Sequence, residues 1–133
     1  MASRQQQTGM RGVFLVAAEL SSQGYVVSIT SRNAMGADIL ATDEHCEKAY
    51  SIQVKTNGKK SGFWLVGEKA KQMASDSHYY VLVNLCEKGP SEFFIVPSKV
   101  VANKTRVEGR KTSTWYSLHK SDISTYQDAW QLK

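Results

Sequence analysis

The alternation of polar and apolar side chains over residues 50–56 constrains the fold more than any other part of the sequence. Ile52 and Val54 fall on one face of an extended chain. Gln53 and Lys55 fall on the opposite face. This period of two predicts a β-strand with one buried face and one polar face.

A second short strand is predicted at residues 37–42, and the polar residues 43–48 between the two strands are typical of a turn. An antiparallel hairpin centred on this turn places Asp38 opposite Gln53, and directly opposed residues point to the same face. Lys55, two residues further along, joins that face. The aliphatic residues of both strands then face the core, so the hydrophobic pattern and the turn select the same register.

A carboxylate, an amide and an ammonium group side by side suit phosphodiester hydrolysis. Asp38 can bind a hard divalent cation, Mg²⁺ or Mn²⁺, and Gln53 can add a neutral carbonyl oxygen. Lys55 can orient or deprotonate a metal-bound water, or stabilise charge that develops on the phosphate. Glu19, in the first predicted helix, is a candidate for a further catalytic metal ligand, and an ordinary exposed glutamate is the equal alternative.

The segments Gly-Ala-Asp-Ile-Leu at 36–40 and Ser-Ile-Gln-Val-Lys-Thr at 51–56 resemble the D-Xn-(E/Q)-X-K signature of the PD-(D/E)XK nuclease superfamily. Glu19 resembles an acidic residue on the first helix of archaeal Holliday-junction resolvases. The Gln-Val-Lys form resembles methyl-directed restriction endonucleases and small uncharacterised bacterial proteins. The resemblance implies a metal-dependent nuclease that acts on DNA as a homodimer.

The remaining patterns predict an α/β fold with a mixed central sheet flanked by helices, a restriction-endonuclease-like αβββαβ core. The predicted core elements are a helix at 12–22, strands at 25–30, 37–42 and 50–56, a helix at 67–76, and strands at 79–85 and 92–96. Residues 63–66 are compatible with either a strand end or a helix entry. A short helix at 97–103, a basic loop at 104–114, a strand at 115–118 and a last helix at 121–130 complete the chain.

The length of 133 residues predicts one domain, at 11–133, preceded by a polar N-terminal arm at 1–10. No apolar run is long enough to span a membrane, and no signal peptide is evident, so we expect a cytoplasmic protein. Cys46 and Cys86 favour two reduced thiols over a disulfide.

The formal net charge of +5 suits an anionic partner such as DNA, with RNA less favoured. Seven basic residues are candidates for phosphate contacts, and a solvated basic surface is the alternative: Arg32, Lys59, Lys60, Lys69, Lys71, Arg110 and Lys111.

The aromatic residues are expected in structural positions and the histidines at the surface. The three tryptophans, together with Tyr79, Tyr80 and Tyr126, are expected in the core or at an interface. The histidines His45, His78 and His119 are scattered and are expected at the surface. A homodimer interface is predicted in the C-terminal third, with Phe93, Phe94 and Trp130 as candidates.

The sequence therefore predicts a metal-dependent DNA endonuclease, with branched, nicked, methylated and sequence-specific substrates all open. No Gly-x-Ser-x-Gly elbow, phosphate loop or dinucleotide fingerprint is present. Two alternatives remain, a DNA-binding module of the same fold that does not cut, and a structural or regulatory dimer.

Overall fold

The computed structural model describes residues 3–31, 36–109 and 111–133. Its helices and strands follow in the order α1 Arg4–Ser22, β1 Val26–Ile29, β2 Ile39–Thr42, β3 Ala49–Asn57, β4 Phe63–Leu65, β5 His78–Asn84, β6 Glu92–Pro97, α2 Ser98–Lys104, β7 Arg106–Gly109 and β8 Thr114–His119. No helix in these residues is long and apolar enough to cross a membrane.

Two sheets form the framework. The larger has five strands in the order β1-β2-β3-β5-β6, and only the β3–β5 pair is parallel. The smaller has three antiparallel strands in the order β4-β8-β7. The mixed sheet and the αβββ start of the chain confirm the predicted fold class.

The large sheet separates two hydrophobic cores. Helix α1 packs on one face, where its Val16 and Leu20 belong to the same buried core as Ile52 of β3. On the other face Trp64 and Leu118 of the small sheet form a second core. Burial on both faces explains why β5 is buried along its whole length, as its unbroken apolar run predicts.

The first helix begins at Arg4, so the prediction of a polar arm over residues 1–10 is wrong. Ser3 and Gln6 form a capping box: the Gln6 main-chain N–H donates to Ser3 Oγ, and the Ser3 N–H donates to Gln6 Oε1. The first two turns are polar because they lie beyond the core, near the end of β3. These turns therefore lack the regular spacing of apolar residues by which a helix is predicted from sequence.

Three further predictions are corrected by the structure. The predicted helices at 67–76 and 121–130 are reduced to the short 3₁₀ turns Glu68–Lys71, Lys120–Asp122 and Ser124–Tyr126. The predicted basic loop at 104–114 contains β7, because it pairs with β8. Phe94 and Trp130, candidates for a dimer interface, are buried in the protein's own two cores, and Phe93 packs on Trp130.

Helix α1 approaches β3 closely at Gly12. A β-carbon built at this position would lie 1.9 Å from Thr56 Oγ1 and 2.9 Å from Thr56 Cβ. The side chain of Thr56 therefore rests against the helix backbone. This contact determines how near the N-terminal half of α1 lies to the end of β3.

We expect Gly12→Ala to destabilise the protein by about 2 kcal/mol, because the new methyl group must push α1 away from β3. Gly9→Ala is the matched control, since nothing lies within 4 Å of a β-carbon there. Alanine should stabilise that helical position by roughly 0.5–1 kcal/mol. Urea unfolding of both variants measures the difference, and equal changes in stability would refute the close-packing argument.

Candidate active site

The hairpin register predicted from the sequence is confirmed. Ile39 pairs with Ile52 in the β2–β3 ladder, which places Asp38 opposite Gln53 just beyond the end of β2. The Asp38 N–H donates to the main-chain oxygen of Ile52 at 2.8 Å. Gln53 and Lys55 therefore alternate along β3 with Ile52 and Val54, which belong to the core beneath α1, and Asp38 lies opposite Gln53.

The carboxylate of Asp38 is fixed through one oxygen. The main-chain N–H of Val54 donates to Oδ2 at 2.7 Å, and Gln53 Nε2 donates to the same atom at 3.2 Å. Within the described residues no hydrogen bond reaches Oδ1. Because a carboxylate only accepts, Gln53 must present its NH₂ group to Asp38, and its carbonyl oxygen is left over.

The main chain around Asp38 is also held in place. Thr30 Oγ1 donates to the oxygen of Ala37 at 2.7 Å, and the Thr30 N–H donates to the oxygen of Asp38 at 3.0 Å. Gly36 has a φ of 75°, in the left-handed region that favours glycine. A rigid backbone thus presents the carboxylate.

A cavity of about 360 Å³, here called the Asp38 cavity, opens beside these groups. Its walls include Asp38 and Gln53 from the sheet and Gln6, Gly9 and Met10 from the first turns of α1. The sequence pattern did not point to Gln6, because residues 1–10 were predicted to form a polar arm. The capping-box spacing of Ser3 and Gln6 was the signal that could have found it.

Lys55 lies in a neighbouring depression of about 830 Å³, here called the Lys55 cleft. Arg4, Thr8 and Gly9 of α1 and Phe63 of β4 contribute to its walls. The cleft and the Asp38 cavity meet at Gly9 and Val54, which line both. Lys55 is two residues from Gln53, about 7 Å along the strand, so the three predicted groups lie along one continuous surface.

Glu19 is not brought to this surface. It lines a third depression, of about 1040 Å³, with Lys59 and Lys60. Val13 is the lining residue of the Asp38 cavity nearest to Glu19 along α1, and the two are six positions apart, a rise of about 9 Å. A helical wheel shows on which face of the helix a residue lies but not how far along the helix axis it is. The sequence pattern therefore could not show that Glu19 lies away from the Asp38 cavity.

The predicted basic residues are dispersed. Lys60 Nζ lies 3.9 Å from Glu92 Oε2, and Lys59 lines the same depression as Glu19. Lys71 donates to the main-chain oxygens of Ala102 and Thr105 at the end of α2, which gives it a structural role. The other four candidates lie on a 3₁₀ turn, next to the β7–β8 connection or outside the described residues: Lys69, Lys111, Arg32 and Arg110.

His78 is buried, so its assignment to the surface is wrong. It begins β5, and the parallel pairing with β3 brings its Nδ1 to 2.7 Å from Ser51 Oγ. Its Nε2 is buried with no hydrogen-bond partner among the described residues. Burial lowers the pKa of His78, and a backbone hydrogen bond with Ser51 opposes this shift.

The oxygens at the site fit a hard divalent cation. Asp38 offers one carboxylate oxygen and Gln53 an amide oxygen, the types of ligand that Mg²⁺ accepts. No group of three histidine, cysteine or acidic side chains that could form a closed metal cage occurs in the described part of the chain. A cation held here would therefore need water or phosphate oxygens to complete its coordination.

The fold is shared with solved nuclease structures. A Holliday junction resolvase from the archaeal hyperthermophile Archaeoglobus fulgidus is similar at a TM-score of 0.54, with 13% identity over 88% of each chain. A bacterial homing endonuclease is similar at a TM-score of 0.61, with 17% identity over 98% of this chain and 90% of its own. No family model matches the chain, and no curated protein does. The chain has the restriction-endonuclease-like fold of these structures.

Gln53→Glu should strengthen Mn²⁺ binding roughly tenfold, because a second carboxylate would face the cation. Without metal the same variant should be less stable, since two carboxylates replace the hydrogen bond between Gln53 and Asp38. Calorimetric titration with Mn²⁺ measures the affinity. Gln131→Glu adds the same charge at an exposed position, and an equal gain there would refute a local effect.

Lowering the pH from 7.5 to 5.5 should destabilise the wild-type protein more than it destabilises the His78→Asn variant. The folded pKa of His78 is depressed, so the unfolded chain takes up its proton first, and stability falls as the pH drops below about 6.5. Denaturant unfolding at the two pH values measures this loss. His45→Asn, at an exposed position, should keep the wild-type pH dependence; the same dependence in all three proteins would exclude His78 as its source.

Proposed function

We propose that the protein is a DNA endonuclease that cuts phosphodiester bonds with a divalent metal ion, Mg²⁺ or Mn²⁺. The observation that carries the proposal is the clamp on Asp38: one carboxylate oxygen is bound by Val54 N–H, and the other is left for a cation. The nuclease fold of the structural neighbours supports the same reaction class.

The side chains have separate tasks in this proposal. Asp38 and Gln53 hold the cation, which when bound polarises a phosphate and lowers the pKa of a water molecule. Lys55 has no hydrogen-bond or ion-pair partner among the described residues, so its ammonium group is available to a phosphate oxygen or to the attacking water. Gln6, on the wall of the Asp38 cavity, can position water by hydrogen bonding.

The alternative is a DNA-binding module on the same fold that does not cut. Among the described residues Asp38 is the only acidic one that lines the Asp38 cavity, and neutral Gln53 stands opposite it. A site with a single negative charge binds a cation more weakly than one with two. Metal-dependent cleavage separates the two functions directly.

A homodimer in the cytoplasm completes the proposal. Val26 and Leu40, exposed by 57% and 50% on β1 and β2, offer an apolar surface for a second copy in place of the buried Phe94 and Trp130. Sedimentation equilibrium measures this association. Cys46 and Cys86 are free thiols, which suits a reducing compartment.

Asp38→Asn and Lys55→Met should each lower cleavage of supercoiled plasmid and of a four-way junction by about 100-fold or more. Asparagine keeps an oxygen for the Val54 N–H, and methionine keeps the apolar part of the lysine side chain. Both variants should therefore remain folded. Assays with Mg²⁺, Mn²⁺ and EDTA measure cleavage and its dependence on metal.

Two control variants limit the interpretation. Glu19→Gln should cleave like the wild type, because Glu19 lies on a different depression from Asp38. Lys88→Met, at an exposed lysine in the β5–β6 turn, should also be unchanged. Salt-sensitive DNA binding without any cleavage by the wild type would establish the binding module instead.

A further inference from the structure

We propose that the Lys55 cleft binds an unpaired stretch of DNA strand, and that Phe63, backed by His119, is the platform on which one of its bases stacks. The inference rests on the proposed function and narrows its substrate class. The protein would prefer DNA with unstacked nucleotides next to the bond that is cut to an uninterrupted duplex.

The charge of the Lys55 cleft matches a phosphate backbone. Arg4 and Lys55 are among its lining residues, and no acidic residue in the described part of the chain lines it. The larger depression beside Glu19 differs, because carboxylates of Glu87, Glu92 and Asp128 lie among its lysines. Of these two surfaces, only the Lys55 cleft offers net positive charge without competing carboxylates.

Phe63 places an exposed aromatic ring at this cleft. Its residue surface is 39% exposed, whereas the next residue, Trp64, is 1% exposed because strand alternation turns it into the core. The ring of Phe63 stacks on His119, with centroids 5.7 Å apart and planes inclined by 26°. One aromatic ring thus supports a second that remains accessible to a ligand.

The platform is held rigidly. The main-chain oxygen of Phe63 accepts hydrogen bonds from Asn57 Nδ2 at 2.8 Å and from Ser61 Oγ at 3.2 Å. The Lys120 N–H donates to the oxygen of Gly62 at 2.8 Å. A ring on a fixed backbone loses little entropy when a base stacks on it.

Stacking on Phe63 requires an unpaired base. In the interior of a duplex both faces of each base are covered by its neighbours, so next to an internal bond only an unpaired flap, overhang or branch presents a free face. Because Lys55 and Phe63 line the same cleft, a nucleotide on the platform lies next to the proposed catalytic lysine.

The test is DNA binding in EDTA, where no cleavage occurs, with a short duplex and the same duplex carrying an unpaired overhang. Wild-type protein should bind the overhang DNA more tightly and quench 2-aminopurine placed in the overhang. Phe63→Leu should bind overhang DNA about tenfold more weakly with duplex binding unchanged, because it keeps apolar bulk but removes the aromatic face. Phe63→Trp should retain both the affinity and the quenching.

Phe14→Leu is the matched control, since Phe14 is 56% exposed on α1 and does not line the cleft. It should behave like the wild type. The proposal is overturned if Phe63→Leu binds overhang DNA as the wild type does, if it weakens both DNAs equally, or if wild-type protein fails to quench 2-aminopurine. Because the assay needs neither metal nor cleavage, its failure is distinct from failure of the endonuclease, which the Asp38→Asn cleavage assay decides.

Discussion

The hydrogen bond from the Val54 N–H to the Asp38 carboxylate is the interaction on which the site depends. Strand β2 starts at Ile39, so β3 continues past its partner and its amide at Val54 has no main-chain acceptor there. The Asp38 carboxylate accepts this hydrogen bond in place of a main-chain oxygen. A sheet amide thus determines the position of a functional group, and a charge-assisted bond of this kind is stronger than a neutral one.

The late start of β2, at Ile39, also explains why the site is open. On its β2 side the end of β3 has no paired strand within the described residues, and the first turns of α1 carry Gln6 and Arg4 to the two depressions there. Gly12 makes this possible because it lets Thr56 touch the helix backbone. The same contact leaves Thr56 Oγ1 buried with no hydrogen-bond partner among the described residues. The unpaired hydroxyl is a cost in stability that accompanies close approach of α1.

The local periodicity of the sequence predicted the pairing of β2 with β3, but it could not predict contacts between segments that are distant in sequence. Alternation around Ile52, together with the turn, was sufficient for the β2–β3 register, and hence for the pairing of Asp38 with Gln53. The first turns of α1 have no apolar face, so their sequence signals a helix only through the capping-box spacing of Ser3 and Gln6, and no periodicity places them beside the site. His78 is similar, since its burial follows from the parallel pairing of β5 with β3, which periodicity cannot reveal.

The charge at the site implies an order of assembly under the proposed function. Asp38 supplies one negative charge against two positive charges on the cation, while Gln53 and Gln6 are neutral. Phosphate oxygens would supply the missing charge and the missing ligands, so cation and DNA should each raise the affinity of the other. A cleft with Lys55 and Arg4 and no carboxylate favours DNA even before the cation is bound. Under the proposed function, the neutral Gln53 makes binding of the cation depend on bound DNA.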